Sequence, residues 1–491
     1  MSYYSTSELS TILDNVLTLK ESLCEETDLF NDELNQVAER NKPSARNLLH
    51  YRAVRRKDLT HLQNALGYIG ISRLARAQRH IMGSIEAIEY LLGNLQNDKG
   101  VVLPNPELSI ESGIDLLNKN TAHLLGPASS NRRVRIMVTL PSEAADSYEM
   151  VKQMALNGAN CMRINCAHDS EVEWKSMIDH VRRAEKELGV GIKVAMDLGG
   201  PKIRTSGITK SIKVRKGDVI TVNKTTSDRN TSVGDIHIAC SNYRVFDAVK
   251  PGETIQFDDG KISGVIEDCK QNHFTVKVTA AGGKAKKLKK DKGINLPDTA
   301  LYLDGLTDQD RSDLSFVAKH ADIVNMSFVN TPKDVKLLLA ELDQYNVKGK
   351  LGLVLKIETK KAFVNLTEIL LYAMRWYPFG VMIARGDLAV ETGWANMARL
   401  QTEILNICGS AHAPVIWATQ VLESLAKKGV PSRSEITDAA TSLKAECVML
   451  NKGPYITEAI HFLDYVLKDM KIYQSKSSAL SPKLAFESNL I

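Results

Sequence analysis

Long apolar runs are missing from this chain. Nothing in its 491 residues approaches the ~18 consecutive apolar positions that a bilayer-spanning helix requires. The opening segment, MSYYSTSELSTILDNVLTLK, also lacks the basic start and apolar run of a secretory signal. An excess of one charge is missing too. Sixty-three basic residues against 58 acidic ones leave a net charge of +5. That near balance does not point to nucleic acid, although it permits local basic sites for anions. Paired cysteines are not evident either. The seven cysteines are an odd number, and no two have the short spacing of a zinc site. Cys161 and Cys166, five apart, would fall on opposite faces of an extended segment. Reduced, mostly buried thiols are expected, and with them a cytoplasmic protein. The hydrophobic fraction of 43% and charged fraction of 25% are those of a soluble globular enzyme. The length predicts two or three domains.

The first 130 residues carry helical spacing. Leu9, Ile12 and Leu13, then Leu48, Leu49 and Tyr51, then Leu59, Leu62 and Leu66 recur at the period of a helix face, and a further helix runs through Ile81, Ile85, Ile88 and Leu91. A Pro-, Asn- and Gly-rich loop (GVVLPNPELS) and a short helix ending near Leu125 follow. His50, His61 and His80 have no partner at ligand spacing, so surface or capping roles are expected for them. From Arg133 short apolar runs suited to buried strands alternate with helical segments: RIMVTL, ANCMRIN, KVAMDL, DIVNMSFV, LGLVLKIE, GVMIARGD, PVIWATQ and ECVMLN. Eight strands with intervening helices predict an α/β fold, a closed (β/α)8 TIM barrel. An open doubly wound sheet would ordinarily carry a Gly-rich phosphate turn after its first strand, and TLPSEAA is not one. The barrel is expected in two parts, 131–206 and 294–473. Between them, 207–293 alternates apolar and polar positions and predicts a small inserted β-barrel lid at the active-site face. A last helix beyond Leu463 to about Tyr473 and a frayed Ser-rich tail, 474–491, complete the expected layout, with no room for another folded domain.

In such a barrel the C-terminal ends of the strands face the active site. Those ends carry Arg163 and Asn165, Asp197, Lys356 and Glu358, Asp387, and Thr419. Carboxylates, an ammonium, a guanidinium and a hydroxyl converging on one mouth suit Mg2+-assisted chemistry on a phosphorylated substrate. Structural ion pairing, with Lys356 bound to Glu358 and Asp387 capping the following helix, is the alternative that these residues by themselves leave open.

The segments CMRINCAHD, MDLGGPKIRTSG, KGINLPD, LKIET, MIARGDLAVE and PVIWATQVLES, in this order over roughly 131–470, resemble the signature segments of pyruvate kinases. The resemblance implies phosphoenolpyruvate, ADP/ATP and pyruvate as ligands, Mg2+ (or Mn2+) as cofactor and a homo-oligomer. It implies that Glu358 and Asp387 hold the metal and that Lys356 neutralises the phosphoryl group in transfer. Arg163 would grip the phosphate of the substrate. Gly386 and Asp387 would receive its carboxylate through backbone amides, and Thr419 would stand near the enolate carbon. Asn165, His168, Arg204 and Lys292 match positions on the nucleotide side. The rest of the lysine run GGKAKKLKKDKG is expected to be a solvated loop.

Three departures from the family pattern carry expectations. Ala167 and Leu198 stand where K+-binding members have Ser and Thr, and Lys202 stands where they have Glu. A tethered ammonium can supply the charge that the ion would have given, so activity without K+ is predicted. The eighth strand leads into MLNKGPYITEAI instead of a longer polar loop, which puts part of the active-site wall in doubt. The C-terminal domain that binds activators in familiar members is not expected, and the N-terminal helices resemble those of N-terminally extended bacterial members. Two rival readings remain: another Mg2+-dependent barrel enzyme acting through an enolate (an aldolase or lyase), and a non-catalytic scaffold.

Overall fold

The computed structural model describes residues 6–72, 74–96, 104–225, 236–283, 285–471 and 473. The expected tail from 474 and the start of the Pro-rich loop lie outside them.

Eight parallel strands form a closed barrel: β1 (Arg135–Thr139), β2 (Cys161–Asn165), β3 (Lys193–Asp197), β4 (Ile323–Met326), β5 (Gly352–Ile357), β6 (Phe379–Ala384), β7 (Val415–Ala418) and β8 (Cys447–Leu450). Each is one of the eight apolar runs read from the sequence. Successive residues on a strand face opposite ways, and both sets are apolar here because both faces are covered. Ile136, Met162, Val194 and Leu353 pack outward under the helices, whereas Met137, Cys161, Ala195 and Val354 fill the interior. Cys161 and Cys166 accordingly serve different clusters. All seven cysteines are free, and five are buried. Among the described residues no helix is long and apolar enough to cross a membrane.

Helices at Thr6–Asp28, Asn31–Gln36, Lys42–Arg55, Thr60–Tyr68, Ile81–Leu95 and Ile110–Leu125 precede the barrel. The last of them closes the barrel floor. Leu124 and Leu125 join the interior cluster, and a Cβ at Gly352 or Gly380 would come within 2.6 Å of a Leu124 methyl. Only glycine at the starts of β5 and β6 admits that plug. Buried amides on this helix and on Lys42–Arg55 with its N-cap tie the N-terminal part to the barrel. Asn41 Nδ2 donates to the Met374 carbonyl at 2.8 Å, Asn47 Nδ2 to that of Ser410 at 2.8 Å, and Asn120 Nδ2 to that of His412 at 2.8 Å. Of the three histidines for which surface or capping roles are expected, two are drawn into this packing, and His80 does stand at the N-cap of Ile81–Leu95, without a side-chain capping bond. His80 is buried with its ring on Ser84 Oγ at 2.8 Å, and His50 is half-buried; only His61 is exposed.

The inserted segment forms a seven-stranded sheet in the order Ile294–Asn295, Thr254–Phe257, Ile262–Cys269, His273–Ala280, Val219–Asn223, Ile236–Cys240, Thr205–Ser206, with a two-stranded sheet of Ile212–Val214 and Lys286–Leu288 beside it. The chain entering and the chain leaving this unit are bonded to each other, Ile294 N–H to the Ile203 carbonyl and Thr205 N–H to that of Lys292, both at 2.8 Å. That seam partly closes the sheet. The final helix is Ile456–Met470, so it begins before Leu463, soon after the Gly453-Pro454 turn. Apolar Ile456, Ile460, Leu463 and Leu467 define its buried face.

Burial, and then nearby Arg46, push the His50 imidazole down to about 4. The folded chain therefore keeps His50 neutral while the unfolded chain takes up a proton below about pH 6.5. Stability should fall as pH drops from 6.5 toward 4, and His50→Gln should remove up to ~3 kcal/mol of that acid-linked loss. Thermal unfolding between about pH 4 and 7 checks it; identical slopes for both proteins would exclude His50 as the cause.

Candidate active site

The alternation that fills the barrel also aims its polar groups. Inward positions are apolar near the floor and become polar or charged one step further toward the C-terminal mouth: Cys161 then Arg163, Ala195 then Asp197, Ile323 then Asn325, Val354 then Lys356 and Glu358. Registry sets the matches, with Arg163 beside Ala195 and both Asn165 and Asn325 beside Asp197.

These groups make one buried cluster. Asp197, 1% exposed, accepts from Arg163 Nη2 at 2.7 Å and lies 3.4 Å from Lys356 Nζ, while Asn325 Nδ2 bonds its other oxygen. Lys356 also reaches Glu358 at 3.1 Å and Ser327 Oγ at 2.8 Å. Burial alone would raise the Asp197 carboxyl, but Arg163 and Lys356 outweigh it and hold it at about 2. Burial likewise opposes the charges of Arg163 and Lys356. Asp197 for the first, and Glu358 with Asp197 for the second, keep both above their ordinary values. Glu358 is pushed up, mainly by burial; Lys356 and the Phe328 N–H at 2.6 Å pull it down, while Asp387 repels it.

Asp387 and Gly386 lie in the first turn of the Arg385–Thr392 helix that follows β6. The Gly386 N–H donates to Thr419 Oγ1 at 3.0 Å. Thr419, Gln420 and Leu422 all have positive φ, 65°, 57° and 48°, a backbone costing of order 1–3 kcal/mol per residue. Arg385 holds it, donating to the carbonyls of Ala418 (2.8 Å) and Thr419 (2.6 Å) and to Asp438 (2.8 Å). Lys202, on the chain entering the inserted sheet, contacts both Asp387 oxygens at 2.8 and 3.0 Å.

The expected site residues thus fall into four groups. Arg163, Lys356 and Glu358 share the buried cluster, and Lys202, Gly386, Asp387 and Thr419 meet at the helix beside it. Asn165 and His168 line a cavity of about 280 Å³ with Arg163, Lys427, Asn451 and Lys452; Lys452 comes from the altered eighth-strand loop. Arg204 and Lys292 stand on the inserted unit, where Arg204 donates to the Asp291 carbonyl at 3.3 Å and Lys292 pairs with Asp258 at 3.1 Å. Asn325, Ser327, Asn295 and Glu391 join these networks without having been read from the sequence. A polar Asn inside the apolar run DIVNMSFV was a usable signal for Asn325. Asn295 and Glu391 lie inside the segments KGINLPD and MIARGDLAVE, but their pairing joins positions far apart in sequence.

The donor set fits a hard divalent ion. Among the described residues no three His, Cys, Asp or Glu cluster as a preformed metal cage, but Glu358 and Asp387 repel each other across the mouth. Asn295 Nδ2 donates to Asp387 Oδ1 at 3.5 Å, and its Oδ1 is buried without a partner. Two carboxylates with room for waters and substrate oxygens is the ligand pattern of Mg2+.

A parallel (β/α)8 barrel with an inserted β unit at its C-terminal mouth, and an Arg–Asp–Lys–Glu cluster beneath it, defines a class of barrel protein whose polar groups gather at the C-terminal ends of the strands. A family model described as "Pyruvate kinase, barrel domain" matches residues 131–460. The chain is 32% identical over 356 residues to a "Pyruvate kinase" of Hypocrea jecorina, covering 70% of this chain and 64% of that protein. It is 32% identical over 348 residues to the "Pyruvate kinase" of Thermotoga maritima, covering 69% and 71%, and 33% identical over 348 residues to "Pyruvate kinase 1" of Trypanosoma brucei brucei, covering 69% and 67%. The chain belongs to the pyruvate kinase family. It spans slightly less than two thirds of the Hypocrea jecorina relative.

Asp197→Asn would leave the buried Arg163 and Lys356 charges without their shared counter-ion. The metal-free protein should lose ~3–5 kcal/mol in urea unfolding. A loss below ~1 kcal/mol would show that the cluster is not held by this carboxylate.

Proposed function

We propose that this chain transfers a phosphoryl group from phosphoenolpyruvate to ADP, giving pyruvate and ATP. The observation that carries the proposal is the Lys356 ammonium, kept charged between Glu358 and Asp197 at 3.1 and 3.4 Å. A fixed cation at the mouth opposes the charge that spreads over the oxygens of a phosphoryl group in flight. The Arg163 guanidinium, beside it on Asp197, would grip the phosphate of the substrate, and its Nε is buried and unpartnered.

In the reaction the phosphorus–oxygen bond to the enol breaks as a β-phosphate oxygen of ADP forms the new one. The enolate then takes a proton at carbon. The Thr419 hydroxyl would relay that proton through water, exchanging its Gly386 N–H bond for the substrate carboxylate, which the helix N-terminus favours. Glu358 and Asp387 would hold Mg2+ (or Mn2+), which supplies Lewis-acid polarisation and charge neutralisation when bound. Asn165 and His168, with Arg204 and Lys292 on the inserted unit, would take the nucleotide side, and residues 207–293 would act as the lid. Lys202 would stand in for K+. Its ammonium is mostly buried in the mouth, on Asp387, which argues against an ordinary surface lysine. A reducing compartment such as the cytoplasm suits seven free cysteines.

A lactate-dehydrogenase-coupled assay tests this reading. Pyruvate should appear only when phosphoenolpyruvate, ADP and Mg2+ are all present; pyruvate formation without ADP would favour an enolate lyase. Lys356→Met should lower kcat by about a thousandfold. Added K+ should change the rate in Tris or sodium buffer by less than about twofold, and strong activation would exclude Lys202 as the substitute cation.

A further inference from the structure

Asp387 and Glu391 are four residues apart on the Arg385–Thr392 helix, so both carboxylates lie on one face, where like charges repel. Asn295 sits between them. Its Nδ2 donates to Glu391 Oε1 at 2.9 Å and stands 3.5 Å from Asp387 Oδ1, and the residue is only 3% exposed. Asn295 belongs to the strand leaving the inserted sheet, and Lys202, on the segment entering it, takes the other side of Asp387. A third tie comes from the sheet itself, where Gln256 Nε2 donates to the Val390 carbonyl at 3.2 Å. Burial pushes the Glu391 carboxyl up to about 7, against the Asn295 bond that lowers it. Retaining a carboxyl there is costly, and no step of the proposed reaction uses it.

We infer that Asn295 and Glu391 form a clasp that positions Asp387 for its divalent ion and ties the lid hinge to the metal-binding helix. They are positioning residues: neither is assigned contact with substrate. Glu391 anchors the amide, the amide restrains Asp387, and the side-chain oxygen left over on Asn295 is a buried acceptor without a protein partner, available to a water on the ion. Groups that orient metal ligands in this way are worth about 10–100-fold in metal affinity. The inference rests on the metal role proposed above for Asp387.

Mn2+ binding to the substrate-free full chain, followed by electron paramagnetic resonance, tests it apart from turnover. Asn295→Ala should weaken Mn2+ binding by about tenfold and raise the half-saturating Mg2+ concentration in the assay to match, while kcat at saturating Mg2+ falls less than about threefold. Mn2+ binding within about twofold of the parent would overturn the clasp, whatever the activity. If Asn295→Ala does not fold, the pair Glu391→Gln and Glu391→Ala decides. Glutamine keeps an acceptor for the amide and should bind Mn2+ like the parent, whereas alanine should not. Equal weakening in both would assign the effect to charge and overturn the proposal. A parent chain that binds no Mn2+ would remove the metal role of Asp387, and the clasp with it; a parent that binds Mn2+ but yields no pyruvate would sink the kinase reading alone.

Discussion

The sharing of Asp197 between Arg163 and Lys356 is the constraint on which the mouth of this barrel depends. Three charged groups, none more than 12% exposed, sit on top of a packed apolar interior. Removing ions from water costs several kcal/mol apiece unless they are matched, so none of them is tolerable alone. The match also prepares chemistry. A carboxylate held at about 2 stays ionised throughout the physiological range and keeps two cations fixed at the mouth. Glu358 is the member pulled both ways: burial and Asp387 favour its neutral form, whereas Lys356 and the Phe328 N–H favour the charged one.

The inserted β unit bears on the site through its hinge. Lys202 entering, Asn295 leaving and Gln256 on the sheet all reach the helix that carries Asp387. The seam between Ile203 and Ile294 joins the entering and leaving segments to each other beside that helix. At the other end, Leu124 fills the floor between Gly352 and Gly380. The N-terminal helices therefore contribute to the barrel core itself as well as covering its flank, and their buried Asn bonds to carbonyls before β6 and β7 hold them there.

Much of the fold was legible because its signals are local. Eight apolar runs became eight strands because a strand buried on both faces needs apolar residues at every position. The helical spacing before Arg133 became helices for an equally short-range reason. The charged residues at the strand ends were legible for the same cause: alternation fixes which side of a strand a residue takes, so Arg163, Asp197, Lys356 and Glu358 had to meet once the barrel closed. The last helix, starting at Ile456 rather than beyond Leu463, and the buried His80 departed from expectation because burial depends on neighbours that spacing does not name.

The residues by themselves determined the strand and helix periods, the family motifs and the set of groups facing the mouth. Only the tertiary structure decided which group meets which. Lys202 and Asp387 are 185 positions apart, and Asn295 and Glu391 are 96 apart; each pair is joined by the return of the inserted sheet to the barrel. The left-handed backbone at Thr419, whose hydroxyl accepts from Gly386, is likewise held by Arg385, which Asp438 fixes in turn. Periodicity is a property of a few consecutive residues, whereas these contacts exist only after distant segments have packed.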